Sequence, residues 1–286
     1  MDPQLARSMW HRIEAINAVT DFASECRQAP SALGLKGFWM GYFAARAAPL
    51  GPVGPAVVEA TFFNFHPMRV RRAVPEAWSY ATPAQLLDVR RRAAAAALRR
   101  LLGADADRLA GVVVPVLGSI ADAASPAGRP LFAANRDVPP SSDPVAELWQ
   151  ACTTLREHRG DGHVALVTSA GLDGCEVHVL FAATEGADPG LLQESRGWSA
   201  GDWSAAVDRL AGRGLVDAAG APTAHGRNLR AEIERRTDEL AATPLELVGR
   251  QRIDTVLDAL APAAAHIRRS GEIPFPNPMG LPSESE

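Results

Sequence analysis

Residues 149–181, WQACTTLREHRGDGHVALVTSAGLDGCEVHVLF, decide how the chain is read. The eight positions from Arg156 to His163 hold two arginines, two histidines, Glu157 and Asp161. Apolar residues flank them: Trp149, Cys152 and Leu155 before, Val164, Leu166, Val167 and Leu172 after. Unpaired charges are costly to bury, so a cluster like this inside an apolar run has to find partners. Gly160 and Gly162 predict an interruption of the helix that starts at Asp143 and reaches about His158. The later CEVHVLF, 175–181, fits a strand and a helix about equally.

Upstream, SPAGRPLFAANRDVPPSSDP (125–144) carries five prolines and no helical periodicity, which marks an inter-lobe connection. Before it, the apolar spacing predicts helices from Pro3 to about Gln28, over 37–48, and through VVEATFFNF up to His66-Pro67. Thr82-Pro83 opens another that closes at Gly103, and 107–124 forms one kinked at Pro115. Downstream, residues 188–242 run short helix, turn, helix, with a stop at Arg213-Gly214. Two short strands around Ala219-Gly220 and a long charged helix from Thr223 follow. A last helix, about 244–269, precedes the proline-rich EIPFPNPMGLPSESE. The prediction is a mainly α protein of two helical lobes: 1–124, a connection over 125–142, a lobe over 143–271 that contains a winged helix with a small β-wing, and an extended tail over 272–286.

Composition narrows the classes. At 286 residues and 47% hydrophobic, the chain can bury a sizeable core. A net charge of -4 argues against a dedicated polyanion binder, although residues 66–103 hold eight arginines against Glu76 and Asp88. That stretch is read as a solvated helix face. Three scattered cysteines without CxxC spacing argue against a disulfide framework or a zinc ribbon. Polar residues throughout MDPQLARSMWHRIEAIN speak against a signal peptide, and no apolar run approaches the ~20 residues of a membrane span. A cytoplasmic protein with no membrane partner is expected. No GK[ST] P-loop, no GxGxxG after a strand and no GxSxG is present, and His158 and His163 lack HExxH spacing, so neither cofactor nor metal is expected.

Several blocks together resemble a family of actinobacterial proteins with a helix-turn-helix region. They are FWMGYFAARAAPLGPVGP, EATFFNFHP, VPEAW, LREHRGDGHVA, and RGWSAGDWSAAVDRLAGRGLV followed by TAHGRNLRAEIERRTDELA. The last two blocks are also similar to the winged helix of MarR-type repressors, which implies DNA binding through the second helix and the wing. The residues themselves weigh the other way. Residues 188–243 contain seven arginines and nine acids, a balance of -2, and the second helix opens on Ser199-Ala200-Gly201-Asp202-Trp203. DNA affinity comes largely from Arg and Lys contacts to phosphate, so DNA is a disfavoured partner on charge alone.

Two functions are carried forward. The first is a small-molecule-binding protein, or an acid/base enzyme, with a pocket between the lobes. His158, Glu157, Asp161 and His163 would be the catalytic groups, since a histidine oriented by a carboxylate is suited to proton transfer near neutral pH. Arg156 and Arg159 would hold an anion, and Asn64, His66, Trp39 and Tyr42 would complete the ligand wall. The alternative is a ligand-responsive DNA-binding regulator acting as a homodimer.

Overall fold

In the computed structural model, which describes residues 2–283, the central element is an uninterrupted helix. It is α10 of fifteen α-helices among the described residues: α1 (Pro3–Asn17), α2 (Val19–Phe22), α3 (Ser24–Gln28), α4 (Gly37–Ala47) and α5 (Pro55–Phe62) come first. Next come α6 (Pro67–Arg71), α7 (Pro83–Leu102), α8 (Asp105–Ala123), α9 (Pro130–Arg136) and α10 (Pro144–Ser169). The chain ends with α11 (Gly174–Glu185), α12 (Pro189–Arg196), α13 (Ala200–Gly212), α14 (Ala224–Val248) and α15 (Arg250–Arg269).

α10 starts where expected, with the Asp143 carboxylate accepting from Val145 N (2.9 Å) and Ala146 N (3.4 Å). It does not stop at Gly160 or Gly162. Packing overrides the helix cost of about 1 kcal/mol per glycine, because α10 is covered by α1, α7, α8, α9 and α14. Gly162 has a local reason as well. The Arg129 guanidinium crosses there to the His158 carbonyl, and a Cβ on residue 162 would lie 2.7 Å from Arg129 Nη1.

Two further expectations need correction, and one left open is decided. The connection 125–142 is not free of helix: it contains α9, whose Leu131 and Phe132 are buried against α10. CEVHVLF is helical, within α11, and Asp173 and Glu176 form its capping box. The β-wing does not form. Among the described residues there is no strand, only a lone antiparallel bridge between Val216 and Pro222, and helices make up 74% of the structure. The cause is local. Asp217 Oδ1 accepts from Ala219 N and Ala221 N (both 2.9 Å), and Pro222 has no N–H to extend a ladder.

The buried apolar residues form three clusters. The largest draws on α1, α7, α8, α10, α14 and α15, so residues on both sides of 125–142 share it. A second is aromatic and centred on Phe43, Phe62 and Phe65; the third holds α11, α13 and the start of α14 together. The tail after α15 is tied down: Ile273, Asn277 and Leu281 are buried, and Asn277 Nδ2 donates to Leu281 O at 2.8 Å. Residues 284–286 of the expected tail lie outside the described residues. No single helix among the described residues is long and apolar enough to cross a membrane.

Candidate functional site

Where the aromatic cluster, α10, the α11–α12 segment and the tail meet, they leave a hollow of about 670 Å³. α4 brings Trp39, Tyr42 and Arg46 to it because these lie three or four residues apart on one helical face. α5 ends at Phe62. Phe63 then takes φ 53°, and that turn presents Phe63, Asn64 and Phe65 to the same space. α10 contributes Arg156, Glu157, Gly160, Asp161, His163, Val164 and Val167. From α12 come Leu191 and Arg196, and from the tail Pro276, Pro278 and Met279.

Glu157, 2% exposed, anchors one wall. Arg46 grips it with two N–H groups (2.9 and 3.1 Å), and Arg156 Nη1 adds a third contact at 3.0 Å. Burial alone would raise its pKa, but the two guanidiniums outweigh that and hold the carboxylate at about 2. Arg156 Nε also donates to Glu14 (3.3 Å), and Arg46 Nη1 to Tyr42 Oη (3.2 Å).

The other predicted residues divide by position. Asp161 reaches the hollow, and its Oδ2 accepts from Phe132 N at 2.9 Å. Burial pushes its carboxyl up to about 6. His163 also lines the space. Its Nδ1 lies 3.1 Å from Thr237 Oγ1, and burial lowers its pKa to about 4. His158 is turned into the core instead, edge-on to Phe132 at 4.9 Å, and burial with nearby Arg129 lowers it to about 3. Arg159 faces away from the hollow, bound to Glu234 (3.0 Å) and Asp238 (2.9 Å). Asn64 lines the hollow and accepts Trp198 Nε1 at its carbonyl, 3.1 Å. His66 caps α6 through Met68 N and stacks edge-on to Trp198, outside the hollow. Among the described residues neither histidine of α10 hydrogen-bonds to Glu157 or Asp161, so the orientation expected for a carboxylate–histidine pair is not made.

Sequence reasoning overlooked Arg46, Asp21 and Arg196. Arg46 had a signal: it is the sole charge in GFWMGYFAARA. Arg196 had none, because its place depends on how α12 meets the tail. Asp21 forms no ion pair with any described residue, and burial raises its carboxyl to about 6.

A raised carboxyl yields a stability test. The Asp161 pKa of about 6 exceeds its ordinary 3.8, so ionisation costs stability above pH 6, and that cost disappears below about pH 4. Asp161→Asn keeps an oxygen for Phe132 N and removes the charge. It is expected to be more stable than wild type by about 2 kcal/mol at pH 7.5, with the gap closing by pH 4. Urea denaturation across that range measures it; a less stable variant at pH 7.5 contradicts the assignment.

Beside the hollow, α12, the left-handed Gly197 (φ 85°), the Ser199 cap and α13 make a helix-turn-helix. The chain belongs to a helix-turn-helix family, whose model matches residues 6–274. No curated protein and no solved structure matches it. On the outer face of α13 the exposed residues are Ala200, Gly201, Ser204, Ala205, Asp208, Arg209 and Gly212. Arg209 is bound to Glu176 (2.8 Å) and Asp173 (2.6 Å), and Arg213 donates to the carbonyls of Ala170 and Gly171. In the arginine-rich stretch 66–103, Arg71, Arg92, Arg99 and Arg100 are each ion-paired, and Arg90 is buried.

Proposed function

We propose that this helix-turn-helix protein binds a small molecule in the hollow, with the helix-turn-helix unit forming part of the pocket wall. The observation that carries the reading is the shared residue Arg196. It ends the first helix of the pair and lines a space of about 670 Å³ with aromatic and aliphatic walls and a few polar groups. Spaces of that size and character are the usual form of ligand sites. Acid/base turnover in the same place would fall to Asp161 and His163, with Glu157 held ionised beside them. A thermal-shift screen of metabolites tests the reading: at least one class of compound raises the melting temperature in a dose-dependent way, and a flat response across the screen counts against it.

Family membership favours a second reading, a cytoplasmic, ligand-responsive regulator that binds DNA as a homodimer. The contacts that would carry such a response are the hydrogen bonds from Trp198 Nε1 in the turn to Asn64 O and from His66 N to Arg196 O (2.9 Å). The outer face of α13, where Arg209 is already ion-paired and Asp208 is acidic, weighs against base reading by that helix. Phosphate contacts would then fall to exposed cations of α14 such as Arg227 and Arg236. A mobility-shift titration against the gene's own upstream region, at low and moderate salt, decides it. A salt-sensitive shift supports regulation, and no shift at either salt retires it.

A further inference from the structure

Five arginines line the hollow, and their partners separate them. Arg46 and Arg156 are engaged by Glu157 and Glu14, while Arg27 lies over Phe38 at the exposed edge. Arg69 and Arg196 form no ion pair with any described residue. Arg69 gives one N–H to Ser195 O (3.4 Å) and stands over Trp39 at 4.3 Å. Arg196 gives one N–H to Pro278 O (2.9 Å) and stands over Phe65 at 4.7 Å, and its Nε is buried without a partner. A guanidinium carries five N–H donors, so most of Arg196's donors are unused.

Trp39 and Phe65 meet edge to face at 5.9 Å, so the guanidiniums stand on adjoining rings. Arg69 also lies against Gly197, the residue after Arg196, where a Cβ would come 2.5 Å from Arg69 Nε. A part-buried cation without a counter-charge is costly, and burial pushes the Arg196 pKa below its ordinary value. Opposite them the walls are aliphatic: Leu131, Val164, Val167, Val177 and Met279. Asp21, Glu157 and Glu194 share the space, which disfavours a dianion over a monoanion.

We infer that the hollow takes an organic carboxylate with an apolar body, its carboxylate held between Arg196 and Arg69 and its body against the valines of α10 and α11. This rests on the ligand-pocket reading. The apolar walls need a body to cover them, and the guanidinium fork of Arg196, most of its donors unused, matches the two oxygens of a carboxylate.

Isothermal titration calorimetry of the full chain with 2-naphthoate, 2-naphthamide and 2-naphthyl phosphate tests it, because the three share one body. The naphthoate is expected to bind at least tenfold more tightly than the amide and more tightly than the phosphate. Arg196→Met is expected to weaken naphthoate at least tenfold while melting at or above the wild-type temperature, since it removes an uncompensated charge. Should that variant fail to fold, Arg196→Lys, which keeps the charge but loses the fork, must still lose most of the preference for naphthoate over the amide. Equal binding of amide and naphthoate, or unchanged naphthoate affinity in the folded Arg196 variant, overturns the anion assignment and leaves the pocket standing. Tighter phosphate binding overturns the choice of a carboxylate. Failure of all three compounds removes the pocket reading as well.

Discussion

Glu157→Gln is expected to lower stability by about 3–5 kcal/mol at pH 7, because it strands two arginines on a buried wall. Among the described residues Arg46 is ion-paired with no other carboxylate, and Arg156 keeps Glu14 at 3.3 Å. The Coulomb attraction of the intact cluster serves mainly to offset desolvation, so the loss measures the stranded cations more than the worth of the pair. A double variant, Glu157→Met with Arg46→Met, should therefore recover much of the single-variant loss. The pH dependence has a definite sign. The folded pKa, about 2, lies below the ordinary 4.5, so the carboxylate's contribution is complete above pH 4.5 and disappears as pH falls toward 2. The difference between wild type and Glu157→Gln should shrink across that window. Chemical denaturation gives both numbers, and a loss under about 1 kcal/mol at pH 7 would place Glu157 outside a desolvated cluster.

The second large effect is steric. Gly226 sits in the first turn of α14, where a Cβ would overlap the carbonyl oxygen of Leu215 and come 3.4 Å from Leu180 Cδ1. That carbonyl cannot easily withdraw. Leu215 N is bonded to Leu210 O (2.9 Å), and Thr223 Oγ1 ties Gly214 O (2.7 Å) to Gly226 N (3.0 Å). Gly226→Ala should cost about 3 kcal/mol and loosen the junction between α13 and α14. Gly212→Ala, at a position with open space around its Cβ, is the control and should change stability by under about 1 kcal/mol. Equal urea midpoints for Gly226→Ala and wild type would mean that α14 starts elsewhere.

Much of the helical plan was legible because its signals are local. Thr82 and Gln85 make a capping box at the start of α7, and Ser199 with Asp202 makes another at α13. What misled was also local. Gly160 and Gly162 look like breaks, but a helix covered on several sides tolerates them, and Arg129, 29 residues from His158, uses the space at Gly162. Proline-rich 125–144 concealed α9, which starts at Pro130, where a first-turn proline is compatible with helix. For the site, the charged cluster of α10 pointed to the right helix but could not say which face each side chain takes. Glu157 and Asp161, four residues apart, share the face toward the hollow, whereas His158 faces Phe132 and Arg159 faces α14. Arg196 depends on a contact with Pro278, 82 residues away, which no periodicity encodes.

Naphthoate binding to Gly160→Leu shows most directly whether the hollow beside α10 is the ligand site. Residue 160 lies mid-helix with its Cβ position in ordinary contact with Glu157 and Arg156 and on the wall of the hollow, so leucine there should narrow the pocket while favouring the helix by about 1 kcal/mol. The variant is expected to be at least as stable as wild type and to bind 2-naphthoate at least tenfold more weakly by calorimetry. Undiminished affinity in that stable variant would place the binding site elsewhere and contradict it.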